Sequence, residues 1–157
     1  MFLELASLQE KKHTLEIGLV DSNILVYFAD ATDKRRHEKA KVFLDEIIKE
    51  PERFVISLQN LREFSSVMIK RKKIKSEELN EYLSLFENPF ELILTDSEED
   101  IRKASFLTLK RKTHFWDSLI VAVMQKYGIN LIYTENIKDF NKFPEIKTVN
   151  PLNENKS

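Results

Sequence analysis

Apolar positions along this chain fall into two recurring patterns. Short continuous runs bounded by turn-forming residues read as buried strands, and longer segments with an apolar residue every three or four positions read as amphipathic helices. Ile17, Leu19 and Val20 make the first run; Asp21, Ser22 and Asn23 break it, and a helix starts over residues 24–28. Residues 34–50 put Ala40, Phe43, Leu44, Ile47 and Ile48 on one helical face, and Pro51 ends the segment. Phe54, Val55 and Ile56 form the second strand. Ser57 then caps a helix from 58 to about 73 whose stripe is Leu58, Leu61, Ser65 and Met68, with Gln59 and Glu63 beside it. Residues 76–87 carry Leu79, Tyr82, Leu83 and Phe86 on one face before Pro89, and 90–94 form the third strand. Thr95-Asp96-Ser97-Glu98 fits a capping box opening a helix to about 112, with Asp96 serving first-turn electrostatics. Thr113 is the candidate cap for 115–127. There Trp116, Leu119, Ile120, Val123, Met124 and Tyr127 share a face and Val121 and Ala122 oppose it, the signature of a largely buried helix. Gly128 ends it where a left-handed residue is wanted. Residues 129–133 are the fourth strand, broken by Thr134-Glu135-Asn136, and 146–149 an edge strand stopped by Pro151.

Strands alternating with helices predict an α/β fold with a mainly parallel sheet. The 157 residues fit one domain, large enough to need no covalent staples. The expected organisation is an N-terminal extension over 1–16, helical or frayed, with Leu5 and Leu8 able to dock; a domain over 17–152; and a polar tail over 153–157.

Composition removes several function classes. With only Gly18 and Gly128, neither a glycine-rich dinucleotide fingerprint nor a phosphate loop can form, so no dinucleotide is expected. The absence of cysteine excludes disulfides and thiolate metal sites and suits a reducing compartment, and a cytoplasmic location is expected. No apolar stretch approaches the roughly 20 residues of a membrane span. Glu4, Glu10, Lys11 and Lys12 make the first residues unlike a signal peptide. A net charge of −1 leaves any nucleic-acid contact to local patches: Lys34-Arg35-Arg36, residues 70–75 and Lys110-Arg111-Lys112.

Four acids fall at comparable places. Asp21 follows strand one and Glu63 lies in the helix after strand two. Asp117 opens the buried helix, and Asp139 or Glu135 follows strand four. In a parallel sheet these points face the carboxyl ends of the strands, where ligands bind. At about 4 Å and an effective dielectric of 20, each pair of carboxylates repels by about 4 kcal/mol. Such groups stay ionised together only around cations. Oxygen donors select hard ions, Mg²⁺ or Mn²⁺, and the isolated His13, His37 and His114 do not favour zinc. Carboxylate-held Mg²⁺ or Mn²⁺ usually handles phosphate, as Lewis acid and source of hydroxide.

Leu19-Val20-Asp21-Ser22-Asn23-Ile24-Leu25, Glu63, Phe115-Trp116-Asp117-Ser118-Leu119-Ile120, and Thr134-Glu135-Asn136-Ile137-Lys138-Asp139-Phe140 together resemble a PIN domain, most closely the VapC-type toxin ribonucleases. Val149-Asn150-Pro151 is similar to the end of many such domains. The resemblance implies a three-layer α/β/α fold with about five strands. It also implies a Mg²⁺- or Mn²⁺-dependent endoribonuclease acting on RNA, a small antitoxin partner and a homodimer. Asp21, Glu63 and Asp117 match the three core acids, as catalytic and metal-binding residues, and Asn23 matches a supporting position. Ser22, Thr134 and Asn136 are further supporting candidates. Many members have an Asp where Asn136 stands; Asp139 is the substitute, and the departure weakens a second metal rather than the first.

The competing reading is a non-catalytic module of the same fold that binds RNA or protein, which has no need of clustered charge. A haloacid-type phosphatase needs a second Asp where Asn23 stands, and a phospho-acceptor domain needs an acidic pair near strand one that is missing. Finally, Phe64, Val67, Ile69, Tyr82, Leu85 and Phe86 exceed what one face of each helix buries. That predicts an exposed interface for a symmetric dimer on those two helices.

Overall fold

The computed structural model describes residues 15–153; the expectations for Leu5 and Leu8 and for most of the extension and tail lie outside the described residues. Five strands form one all-parallel sheet: β1 (Gly18–Val20), β2 (Phe54–Ser57), β3 (Ile93–Leu94), β4 (Leu131–Tyr133) and β5 (Lys147–Val149). Their spatial order is β3-β2-β1-β4-β5, with Leu19 opposite Val55 on one side and Ile132 on the other. The chain runs outward from β1 to β3, then returns to place β4 on the other flank of β1. The strand order therefore reverses between β1 and β4, and their carboxyl ends flank the crevice where open α/β sheets bind ligands.

Side chains alternate across the pleat and divide the core in two. Ile17, Leu19, Val55 and Ile132 face α5 (Glu98–Arg111) and α6 (Phe115–Lys126). Val20, Phe54 and Ile56 face the layer of α1 (Ser22–Ala29), α2 (Lys34–Lys49), α3 (Leu58–Val67) and α4 (Ser76–Glu87). A short α7 (Ile137–Phe140) follows β4 and anchors Phe140 in the first of these cores. The three-layer α/β/α architecture and the five-stranded parallel sheet are as expected. No described helix is long and apolar enough to cross a membrane.

Both glycines have local reasons. A Cβ at Gly18 would stand 2.4 Å from the Tyr133 ring, so its absence lets that ring lie against β1. Gly128 adopts φ 68° and terminates α6, as the sequence predicts.

The structure corrects several local expectations. The third strand is only Ile93–Leu94. The capping box of α5 is Ser97 with Asp100, and Asp96 lies outside the helix, paired with Arg62 at 3.0 Å. His114 rather than Thr113 precedes α6, and the Thr113 hydroxyl meets Ser118 instead. The helix after β2 passes at Met68 into a π turn ending at Lys72, and its buried stripe is Leu61, Phe64 and Met68. Phe64 and Phe86 are fully buried against Phe28 and Tyr82, so they cannot form the dimer surface expected of them. Ile48 is exposed, because α2 is covered on one side only. Trp116 is 63% exposed although the helical pattern assigns it to the buried face.

Candidate functional site

Asp21 follows β1 as the N-cap of α1 and is only 5% exposed. Its Oδ1 accepts the Ser22 N–H at 2.8 Å and the Asn60 amide at 3.4 Å. Its Oδ2 accepts the Thr134 hydroxyl at 2.7 Å and the Asn23 amide at 3.3 Å. Thr134 follows β4, so this bond ties together the two strands at the switch point. The same hydroxyl accepts the Asn23 amide at 3.1 Å and the Asn136 N–H at 2.9 Å, which uses its one donor and both acceptor sites. Ser22, Asn23, Thr134 and Asn136, all predicted to support the site, therefore converge around Asp21.

Glu63 comes from the second turn of α3. Its Oε2 accepts the Ser22 hydroxyl at 2.7 Å, and its Oε1 accepts the Gln59 amide at 2.7 Å. The Gln59 Nε2 also donates to the Trp116 carbonyl at 3.0 Å. Two acceptors facing that atom fix the orientation of the amide, and its Oε1 is left buried without a partner among the described residues. Gln59 thus joins the helix carrying Glu63 to the first turn carrying Asp117.

The Asp117 carboxylate has no hydrogen-bond or ion-pair partner among the described residues. Burial first, then the charge of Asp139, pushes it from the ordinary 3.8 up to about 6; Glu63 adds to the rise, while His114 and Lys142 oppose it. Asp21 is likewise pushed up to about 6, chiefly by burial and further by the charges of Glu63 and Asp117. The Thr134 and Ser22 hydrogen bonds, which favour the ionised form, oppose this. Asp139, on α7, is partly exposed and lies 3.7 Å from Lys142. Glu135 belongs to a different cluster: it accepts the Arg36 Nε at 2.7 Å and the Tyr27 hydroxyl at 3.2 Å. The fold therefore brings Asp21, Glu63, Asp117 and Asp139 into one electrostatic group and turns Glu135 away.

No cationic side chain is hydrogen-bonded to Asp21, Glu63 or Asp117 among the described residues. The donor set is all carboxylate oxygen, the chemistry that hard divalent cations take. Among the described residues no three acids or histidines converge into a single coordination sphere; Ser22 and Gln59 each hold one oxygen of Glu63.

A family model described as PIN domain matches residues 18–146. The chain belongs to the PIN domain family. Its PIN fold is similar to that of two solved proteins. One is in a toxin-antitoxin complex from Klebsiella pneumoniae: TM-score 0.59, 24% identity, covering 85% of this chain and 97% of that one. The other is Mycobacterium tuberculosis VapC20, described as a sarcin-ricin loop cleaving toxin: TM-score 0.59, 18% identity, covering 80% and 94%. No curated protein matches the sequence.

Two residues packed around these acids were given no site role by the sequence. Asn60 is fully buried; its Oδ1 accepts from the Ser57 N–H and hydroxyl while its amide reaches Asp21. The Ser57-x-x-Asn60 spacing, a capping-box variant, was the available signal. Gln59 stood out only by its position one turn before Glu63. The three basic runs also separate. Arg36 and Arg111 are committed to Glu135 and Glu145, and Lys72 to Asp30. Lys70, Arg71, Lys73 and Lys75 are exposed.

Proposed function

We propose that this PIN-domain protein is a Mg²⁺- or Mn²⁺-dependent endoribonuclease and the toxin of a toxin-antitoxin pair. The observation that supports this reading is the grouping of Asp21, Glu63, Asp117 and Asp139 at the β1/β4 switch point, two of them with raised proton affinity and none of the first three bound to a cationic side chain. A purely structural role for Asp21, Glu63 and Asp117 would be expected to bring a Lys or Arg into contact with them, as Arg36 meets Glu135 and Lys142 meets Asp139 nearby.

Asp21 and Asp117 would hold the ion chiefly, with Glu63 and Asp139 around them. Bound there, Mg²⁺ or Mn²⁺ offsets the charge of a phosphodiester and lowers the proton affinity of a water. The chain's own part is positional. Thr134, Asn23, Asn60 and the Ser22 N–H lock the Asp21 rotamer, and Ser22 and Gln59 hold Glu63. Asn136 stands where a further acid would serve a second ion, so a second ion binds more weakly. The exposed cations Lys70, Arg71, Lys73 and Lys75 are suited to RNA phosphates. The Klebsiella neighbour occurs in a complex with an antitoxin, and by analogy a small antitoxin is the partner proposed here.

The test is an RNA cleavage assay with purified protein in Mg²⁺ or Mn²⁺ against chelator. Cleavage should require the metal, and Asp21→Asn and Asp117→Asn should each abolish it with an unchanged circular dichroism spectrum. Cleavage retained in both variants refutes the assignment; RNA binding without cleavage by the wild type returns the non-catalytic module.

A further inference from the structure

Trp116 stands apart from the rest of its helix. The residues that share its predicted face, Leu119, Ile120, Val123, Met124 and Tyr127, are all buried, yet the indole is 63% exposed. The reason is positional: the first turn of α6 reaches the acid cluster at the carboxyl ends of the strands, where the sheet no longer covers it. The exposed ring also has an aromatic neighbour. Phe115 packs edge-to-face on it with centroids 5.4 Å apart. The Trp116 carbonyl is fixed by the buried Gln59 amide, which simultaneously holds Glu63. Trp116 and Asp117 are adjacent, with Cα atoms about 3.8 Å apart. An exposed aromatic ring is thus carried on the residue next to Asp117, with Phe115 against it.

We infer that Trp116 is the stacking platform for an unpaired nucleobase of the RNA substrate, next to the phosphodiester at the acid cluster. This rests on the ribonuclease reading. An aromatic face stacks on any base, whereas the carboxylates and the cations of residues 70–75 address only the phosphate backbone. Single-stranded RNA is the form that offers such a base, because bases in a duplex are stacked on one another. Trp116 therefore selects single-stranded or looped RNA.

The chain contains one tryptophan, so its intrinsic tryptophan fluorescence reports this residue alone. Full-length protein in chelator is titrated with a single-stranded oligouridylate and with an abasic ribose-phosphate oligomer of equal length. The oligouridylate should quench the fluorescence and the abasic oligomer should not. Trp116→Ala should weaken oligouridylate binding by roughly 5- to 100-fold. It should leave abasic binding and the salt slope unchanged, since no charge is removed, and Trp116→Phe should restore most of the loss. In Mn²⁺, Trp116→Ala should raise KM more than it lowers kcat. Fluorescence unmoved by saturating oligouridylate, or Trp116→Ala binding it like wild type, overturns the inference while cleavage by the wild type leaves the ribonuclease reading standing. Quenching that follows protein concentration without RNA means that a second copy covers the ring, and overturns it too. A wild type that neither binds nor cleaves RNA removes both.

Discussion

The Asp117 carboxylate enters a half-buried site where burial and the charges of Asp139 and Glu63 outweigh the opposing His114 and Lys142, and that makes a measurable prediction. Its proton affinity in the fold is raised, from 3.8 to about 6, as is that of Asp21. Between these values the folded state binds more protons than the unfolded one, so stability falls as pH rises through the window. The penalty is absent below about pH 4 and complete above about pH 6; for buried Asp21 it is about 3 kcal/mol. In chelator, Asp117→Asn should therefore match wild type near pH 4 and exceed it above pH 6, read by urea denaturation across pH. A difference that shrinks as pH rises contradicts this. The fourth acid is decided at the same scale. Glu135 is already paired with Arg36 and Tyr27, while Asp139 acts on Asp117. Asp139→Ala should lower cleavage more than Glu135→Ala, which should mainly cost about 0.5–1 kcal/mol of stability. The reverse ranking in matched assays moves the fourth role to Glu135.

At the scale of elements, α3 and α4 show why apolar content does not equal apolar surface. Each helix carries more large side chains than one stripe needs. The excess is absorbed between α1, α3 and α4, where Phe28, Phe64, Tyr82 and Phe86 make edge-to-face and stacked contacts with ring centroids 5.0–6.4 Å apart. Phe86→Ala should accordingly cost about 3–5 kcal/mol, and Phe86→Glu should leave the chain unfolded instead of separating a dimer. Chemical denaturation checks the first and circular dichroism the second; a folded Phe86→Glu monomer would contradict the packing. The large apolar residues most exposed on this pair and the π turn after α3 are Ile69 and Leu85.

For the whole molecule, the sheet order brings Asp21, Glu63, Asp117 and Asp139 from distant segments into one electrostatic group, with Lys142 on Asp139 and no cationic side chain bonded to the other three among the described residues. Any cation that binds there stabilises the folded chain alone, because the unfolded chain does not gather these groups. Mn²⁺ at a hundredfold excess over its dissociation constant should raise stability by about 2.7 kcal/mol, and with it Tm. Calorimetric titration should show this binding lost in Asp21→Asn. Equal Mn²⁺ binding by wild type and variant would remove the metal site from this crevice.

The order of strands and helices was legible in the sequence, because periods of 2 and 3.6 mark which backbone each segment adopts whatever it packs against. Asp21, Asp117 and the left-handed Gly128 were legible for the same local reason: each sits at a junction that its own neighbours define. What a period cannot express is how much of a face another element covers. Trp116 and Ile48 share a stripe with buried residues yet are exposed; Phe64 and Phe86 look surplus yet are fully enclosed. Nor does spacing show which way a side chain beyond a strand turns. Arg36, from a helix a hundred residues earlier, takes Glu135 and leaves Asp139 facing Asp117. Those outcomes depend on contacts between segments far apart in sequence, and only the packed α/β/α layers supply them.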